Sequence, residues 1–281
     1  MGVITISRHP GSLGDTLARA VAERLNYRLV DRHELVRLAE RIGGSDLAWE
    51  RSPEIRERSP SFWERLNEER HRYASVLRRV TTQLAQEGDV VIVGHGAGQF
   101  LKGLSNVLRL QVIAPYDVRL ERVMQRGFDD VAGPLSKDKA RDLIRAADRD
   151  AAGYARYLFN IDWMDPQHWD MTINTGRFSV DEAVTLIAEI VESGVLEPTT
   201  LDLQRVNNLL LASVVESTVL GNPSVWVNGL RVVAQDGRVR LEGEVIGEDD
   251  RDMVEDVVRA IDGVRLIDND LRVQPPPLTG M

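Results

Sequence analysis

The sequence predicts an α/β fold, in which helices cover both faces of a parallel β-sheet, followed by a small α+β domain. Two patterns support this prediction. Short apolar runs alternate with helix-length amphipathic segments as far as residue 195, and the order then changes to helix, β-hairpin, helix and strand. A chain of 281 residues with 43% hydrophobic content can also bury the core of one large or two modest domains.

Five strands are predicted in the first domain, which we place at residues 1–195. Each is short, apolar and bounded by turn residues, as buried parallel strands are. They are Val3–Ser7, Tyr27–Val30, Val90–Val93, Val107–Ile113 and Met171–Asn174. Alternation of such strands with helices implies right-handed crossovers, so the helices are expected on both faces of the sheet.

Helices are predicted between these strands from the spacing of their apolar residues. The clearest are Thr16–Leu25, Asp117–Arg126 and Asp181–Glu192. The segment Asp46–Glu87 is long, charged and without a strand pattern. We interpret it as a helical insertion that packs over the cleft.

A second domain of αββαβ order is predicted at 201–274, after a linker at 196–200 and before a flexible tail at 275–281. Leu203–Leu220 has the periodicity of a helix, and Asp236-Gly237 is typical of a tight turn between two strands. Another amphipathic helix follows, and the last strand is predicted at Val264–Val273.

Composition excludes several classes of function. The net charge of −9 and the pI near 5.2 argue against nucleic acid as a partner, which needs a basic surface. The absence of cysteine excludes disulfides, thiolate metal sites and a cysteine nucleophile, and it fits a reducing compartment. The N-terminus enters a strand without the pattern of a signal peptide, and no run approaches the ~18 apolar residues of a membrane span. We therefore expect a cytoplasmic protein.

The stretch "ITISRHPGSLGDTLARAVAERL", which begins at Ile4, indicates a phosphate-binding turn. A buried strand that runs through a glycine-bearing turn into a helix directs backbone N–H groups and the helix dipole at an anion. Gly11 and Gly14 allow close backbone approach, while Ser12 and Thr16 offer hydroxyls to a phosphate or to Mg²⁺. The alternative is a plain β–α turn without a ligand.

Five stretches resemble the cytidylate kinase-like proteins, which are P-loop relatives of the bacterial CMP kinases. They are the loop stretch above, "YRLVDRHELV", "VIVGHGAG", "APYDVRLERVMQR" and "DWMDPQHWDMTINTGRFSVDEAV". The resemblance implies a P-loop, three-layer fold with strand order 2-3-1-4-5 and the phosphate loop at the carboxyl edge of the sheet. It also implies ATP with Mg²⁺ as cofactor and a nucleotide as ligand, with CMP as the default acceptor.

The loop lacks the lysine that the CMP kinases carry. The resemblance aligns that lysine with Gly14, and a register shifted by one residue puts Asp15 there instead. Arg8, at the end of the first strand, is the nearest cation and is the candidate to bind the phosphates. Only a weak metal role falls to Thr16, as a hydroxyl ligand of Mg²⁺.

The resemblance implies further site residues on the helix "RLERVMQR". Arg119, Arg122 and Arg126 lie at i, i+3 and i+7 and therefore share one helical face. In the superfamily, such arginines approach the transferred phosphoryl group, so these three are the catalytic candidates. A solvated helix face is the alternative.

The acceptor side carries four further candidates by resemblance. Asp31 and Arg37 lie in the segment that faces the monophosphate, with a helix terminus or surface charge as the alternative. His95 stands where the CMP kinases have an arginine, and Asp148 belongs to a lid segment whose arginine position holds Ala151. Each lost cation of this kind lowers the rate of transfer by about two to three orders of magnitude, so the chemistry is in question.

The second domain resembles a BON domain, through "DGRVRLEGEV", the following helix and "IDGVRLIDNDLRV". That family is usually associated with envelope proteins and with phospholipid or ligand contact. Here the resemblance implies an interaction or sensing module for a protein, a small ligand or a phospholipid. A structural appendage or a dimerisation module is the alternative, which leaves a homo-oligomer open.

Three hypotheses for function follow from the sequence. The first is an ATP-dependent kinase of the nucleoside-monophosphate type. The second is a degenerate nucleotide-binding sensor that signals through its BON-like domain, and the third is a scaffold that binds no phosphate.

Overall fold

The computed structural model describes residues 2–43, 67–128 and 131–274, and the predicted parallel sheet is present. The strands up to residue 195 are β1 (Val3–Arg8), β2 (Arg28–Val30), β3 (Val90–Val93), β4 (Val107–Ile113), β5 (Gly127–Phe128), β6 (Val131–Ala132) and β7 (Met171–Asn174). Five of them form a parallel sheet in the order β2-β3-β1-β4-β7, while β5 and β6 pair as a separate two-stranded ribbon. The predicted order 2-3-1-4-5 is therefore confirmed.

Helices connect these strands. They are α1 (Gly14–Leu25), α2 (Arg32–Gly43), α3 (Asn67–Glu87), α4 (Ala97–Phe100), α5 (Tyr116–Arg126), α6 (Lys137–Phe159) and α7 (Val180–Glu192). The three helices predicted from periodicity begin within two residues of their predicted starts. Of the predicted helical insertion, residues 67–87 form α3, and residues 46–66 lie outside the described residues. In the described parts of the chain, no helix is both long enough and apolar enough to cross a membrane.

Hydrophobic side chains cover both faces of the sheet, because successive residues of β1 point to opposite sides. Val3 packs with Leu77 of α3 on one face. Ile4 packs with Leu17 of α1 and Ile187 of α7 on the other. The result is the three-layer arrangement that the sequence predicted, with the carboxyl ends of the strands at one edge.

The C-terminal domain has the predicted αββαβ order. Its elements are α8 (Thr200–Gly221), β8 (Asn228–Gln235), β9 (Arg238–Val245), α9 (Glu248–Arg259) and β10 (Leu266–Val273). The three strands form a sheet in the order β10-β9-β8. Asp236 and Gly237 have φ values of 49° and 87°, the left-handed conformations that a two-residue hairpin turn needs. The predicted tail at 275–281 lies outside the described residues.

Helix α8 contributes to the cores of both domains. Val206 packs into the core around α3, whereas Val215 and Val219 pack into the core of the C-terminal sheet. Arg78 of α3 also donates to Glu216 of α8 at 2.9 Å. The domain boundaries stay a prediction, but the two cores share this helix.

Candidate functional site

The turn between β1 and α1 follows the predicted path of a phosphate-binding loop. Gly11 and Leu13 have left-handed backbones, with φ values of 74° and 61°. A Cβ added at Gly11 would lie 2.6 Å from the carbonyl oxygen of Arg119, so only glycine allows this close approach to α5. Gly11 therefore serves packing against α5 as well as the shape of the loop.

The N-terminus of α1 has no side-chain cap. Its N-cap residue is Leu13, which makes no capping hydrogen bond, whereas Ser136, Ser179 and Thr199 cap α6, α7 and α8. The first-turn N–H groups of a helix have no acceptor within the helix, and the helix dipole concentrates partial positive charge there. The start of α1 is therefore suited to an anion.

Ser12 places a buried hydroxyl in this loop. The residue has no exposed surface, and its Oγ has no hydrogen-bond partner among the described residues. Its backbone is firmly held, since its N–H donates to the His9 carbonyl at 3.1 Å and its carbonyl accepts from Thr175 Oγ1 at 2.6 Å. Buried side-chain oxygens usually have a partner, so this hydroxyl has capacity left to bind a ligand at the loop.

Arg8 lies across the carboxyl edge of the sheet. Its Nε donates to Asp15 Oδ1 at 3.0 Å, and its side chain keeps 22% of its surface exposed. Its Cβ and Cγ fill the space beside Gly14, and its guanidinium passes next to Gly94 in the turn after β3. The structure thus brings Arg8, Gly14 and Asp15 together, while Thr16 lies exposed in the first turn of α1.

Two of the predicted site residues pair with each other. Arg119 of α5 is 6% exposed and donates to both carboxylate oxygens of Asp148 of α6, at 3.0 and 2.9 Å. Its guanidinium carbon also lies 5.7 Å from the centre of the Tyr116 ring. The predicted catalytic arginine and the predicted lid aspartate therefore form one ion pair that joins α5 to α6.

Arg122 holds the loop from behind. Its guanidinium donates to the Gly11 carbonyl at 3.2 Å, to Thr175 Oγ1 at 3.0 Å and to the Thr175 carbonyl at 2.8 Å. Burial, followed by the charge of Arg126, lowers the pKa of Arg122. Arg126 itself is exposed at the end of α5. The three arginines share a helix but lie in three different environments.

The predicted acceptor residues are spread along the carboxyl edge. Asp31 Oδ1 accepts from the Glu34 N–H at 2.8 Å at the start of α2, and the Arg37 side chain is 63% exposed and 4.0 Å from Glu34. His95 has a left-handed backbone with φ of 51°, and its carbonyl accepts from Tyr154 Oη at 3.1 Å. Within the described chain, Asp31 and Arg37 contact Glu34 and not the loop, so their roles stay predictions.

His9 is a residue of the loop that the sequence analysis did not select. Its ring stacks on Trp163, with centroids 4.6 Å apart, and Trp163 Nε1 donates to Ser7 Oγ at 2.8 Å. Burial, with a smaller effect from the charge of Arg119, lowers the pKa of His9 to about 4, against the opposing effect of Asp148. His9 is therefore neutral at pH 7, and a single histidine in a β–α turn carries no sequence pattern that could have revealed this.

Comparisons with known proteins agree with this geometry. Residues 3–177 match the cytidylate kinase-like family, and residues 207–275 match the BON domain. Cytidylate kinases of Methanocaldococcus jannaschii and Methanothermobacter thermautotrophicus are 27% and 29% identical to the chain. These matches cover 68% and 64% of the chain and 98% of each relative. An uncharacterized protein from Eubacterium ventriosum has the same fold, with a TM-score of 0.52 at 21% identity over 69% of this chain and 99% of that one.

Proposed function

This chain belongs to the cytidylate kinase-like family, and on that premise we propose that it transfers a phosphoryl group from ATP to a nucleoside monophosphate, with CMP as the first candidate acceptor. One observation carries the proposal most directly. The loop before α1 holds a buried Ser12 hydroxyl, which has no hydrogen-bond partner in the described part of the chain, beside an uncapped helix N-terminus. An ATP phosphate would satisfy both features at once.

Different groups of the loop would bind different parts of a triphosphate. Backbone N–H groups at the start of α1 and the Ser12 hydroxyl would contact the phosphates, and Arg8 would add a full positive charge. Among the described residues, Arg8 pairs with Asp15 alone, and the side chain of Asp15 is 60% exposed. An exposed ion pair contributes about 0–1 kcal/mol, while a charge-assisted hydrogen bond to phosphate contributes about 1.5–3 kcal/mol. A phosphate would therefore compete successfully for the guanidinium.

Magnesium fits this site as an ion that enters with ATP. Mg²⁺ keeps several waters and takes most of its remaining ligands from phosphate oxygens, so the protein needs to supply few. The described residues contain no group of three or more acidic or histidine side chains suited to a metal. The hydroxyls of Ser12 and Thr16 are the ligands that the loop can offer, and Mg²⁺ would supply further positive charge at the phosphates.

The transfer step is expected to be slow relative to the CMP kinases. Phosphoryl transfer depends on positioning and on positive charge around the phosphate. The chain has Gly14, His95 and Ala151 where the CMP kinases have a lysine and two arginines. Arg119 and Arg122 are committed to contacts with Asp148 and Thr175, so they shape the loop and are not free to replace those charges without rearrangement.

The proposal is tested by measuring ADP release with each nucleoside monophosphate and, in parallel, the binding of ATP and CMP by calorimetry. We expect turnover with at least one monophosphate and its loss in Ser12→Ala. In Thr16→Ala, affinity for ATP should fall more with magnesium than without. Equal loss under both conditions would contradict the metal role of Thr16, and absence of turnover in the wild-type protein would contradict the kinase activity.

A second candidate function is a nucleotide sensor that signals to the C-terminal domain. Helix α8 belongs to both cores, and a continuous series of contacts runs from it to the site. Glu216 of α8 binds Arg78, whose guanidinium lies 5.7 Å from the centre of the Phe100 ring. Phe100 packs edge-on against Phe159, and the Phe159 ring in turn adjoins Gly96 of the turn after β3.

The sensor is distinguished from the kinase by binding without turnover. If the sensor hypothesis is correct, ATP should slow amide hydrogen exchange in β8 and β9. Arg78→Ala should then abolish that response while leaving ATP affinity unchanged. A protein that neither binds ATP nor turns over would leave only the scaffold hypothesis.

A further inference from the structure

We propose that the phosphate-binding cation of this loop has moved from the first turn of α1 to the end of β1, and that Gly14 is a glycine because Arg8 fills its side-chain space. The inference rests on the proposed function, since it assigns the residue that binds the ATP phosphates. Arg8 and Gly14 are then a matched pair.

The backbone of Gly14 gives no reason for glycine. Gly14 is the first residue of α1 and is not among the glycines with positive φ, whereas Gly11, two residues before Leu13, has φ of 74°. A helical position without positive φ accepts any residue, and glycine is among the least favourable there. The reason must therefore lie in the surroundings.

Those surroundings are the side chain of Arg8. A Cβ built on Gly14 would overlap Arg8 Cβ and would lie 2.7 Å from Arg8 Cγ. Both atoms belong to the part of Arg8 nearest its backbone, which cannot swing aside as the end of a flexible side chain can. A side chain at position 14, a lysine included, is therefore excluded as long as residue 8 carries a side chain such as that of Arg8.

The second glycine along the path of Arg8 supports the same interpretation. A Cβ on Gly94 would lie 2.7 Å from Arg8 Nη1, so the turn after β3 also leaves room for this side chain. Gly94 does have positive φ, at 81°, and its backbone adds a second reason for glycine. Arg8 thus crosses from β1 to β3 along the edge where the ATP phosphates would bind.

The charge of Arg8 is accessible to a ligand. Among the described residues, its ion pair is with Asp15, through Nε, and the other two guanidinium nitrogens make no hydrogen bond there. The guanidinium is a flat fork, whereas a lysine ammonium is a point charge. Moving the cation therefore changes how the phosphates are held, while the net charge of the loop stays the same.

The test is an exchange of the two residues in the full-length protein. The variants are Arg8→Gly, which also removes the Cβ that closes the space at position 14, Gly14→Lys, the double variant Arg8→Gly/Gly14→Lys, and the matched control Arg8→Gly/Gly14→Ala, which has the space but no cation. ATP affinity is measured by calorimetry and the melting temperature without ligand by scanning calorimetry. A fifth variant, Gly14→Ala, measures the steric effect alone.

We expect Arg8→Gly and Gly14→Lys each to lower ATP affinity at least about tenfold. The double variant should recover to within about threefold of the wild type, while the alanine control stays as weak as Arg8→Gly. Gly14→Ala should lower the melting temperature when Arg8 is present and raise it when residue 8 is glycine, because alanine at position 14 is then a better helix former without a clash.

Two results would overturn the inference while the proposed function stands. One is a wild type that binds ATP and a double variant no tighter than the alanine control. The other is a Gly14→Ala effect on melting that has the same sign in both backgrounds. A wild type that does not bind ATP would instead overturn the proposed function, together with the assignment of Arg8.

Discussion

The arginines at the edge of the parallel sheet and those on the C-terminal sheet have the same chemistry in opposite surroundings. The side chain of Arg119 is 8% exposed and makes a double hydrogen bond to Asp148. On β9, Arg240 is 55% exposed and lies 3.7 Å from Asp270, which is 60% exposed. Buried ion pairs are costly to break, and exposed ones contribute little. Burial, and not the presence of an ion pair, therefore separates the arginines that shape the site from those that cover a surface.

The largest effect is expected from Arg119→Ala. This change leaves Asp148 without its partner in a partly closed site, and breaking such a pair costs about 3 kcal/mol, the lower end of the usual range because Asp148 keeps 31% of its side chain exposed. Urea unfolding of the wild type and the variant measures the loss. The double variant Arg119→Ala/Asp148→Ala should recover part of it, and a single-variant loss below about 0.5 kcal/mol would show that the buried pair behaves like a surface pair.

The second-largest effect is expected from Arg122→Ala. Its free energy of unfolding should fall by about 1.5–3 kcal/mol, because one guanidinium donates hydrogen bonds to the carbonyls of Gly11 and Thr175. The matched control is Arg126→Ala, one helical turn further along α5 and exposed. Its free energy of unfolding should change by less than about 0.5 kcal/mol. Equal losses in the two variants would mean that Arg122 contributes only helix propensity.

The sequence predicted the fold more completely than the site. Strand positions and helix faces follow from apolar periodicity, which is a property of the chain itself, and the strand order came with the family resemblance. The spacing of Arg119, Arg122 and Arg126 placed them on one helix, but it could not show that the first two make part-buried contacts, with Asp148 and with Thr175, while Arg126 is exposed. That depends on which elements pack against α5.

The loop between β1 and α1 shows the same limit of prediction from sequence. Gly14 looked like a lost lysine, because sequence alignment compares a residue only with its counterpart and not with its neighbour in space. The Arg8 side chain that fills this volume comes from a different element, six residues earlier. His9 and Trp163 meet across more than 150 residues, a contact that no local pattern encodes.

Glu216 lies at the junction of the two domains. We expect its substitution to change the free energy of unfolding by less than that of the buried arginines and by more than that of the exposed ones, and this change should depend on pH. Burial raises its pKa above the ordinary 4.5, while Arg78 opposes the shift. A raised carboxyl pKa stabilises the fold when the group is protonated, so this contribution is complete below pH 4.5 and is lost as the pH rises through the folded-state pKa.

The difference in unfolding free energy between the wild type and Glu216→Gln should therefore move against the wild type as the pH rises from 4.5 towards 8, by about 1.4 kcal/mol for each unit of pKa shift. Arg78 is the charge that acts on this carboxylate, and the neighbouring Arg79 donates to Ser217 Oγ instead. A difference that stays constant over this range would contradict the raised pKa and would place Glu216 with the exposed pairs.

The smallest effect is expected from Arg240→Ala on the exposed face of β9. The single 3.7 Å contact with Asp270 is too long for a hydrogen bond, both side chains are more than half exposed, and salt screens such a pair further. Unfolding free energy should change by less than about 0.5 kcal/mol, at low salt and at high salt alike. Leu241, the next residue, is fully buried, so the strand itself stays anchored whatever residue 240 is. A loss comparable to that of Arg119→Ala would mean that another surface covers this face in solution, and the contrast between the two sets of arginines would then reflect an unseen partner of the C-terminal sheet.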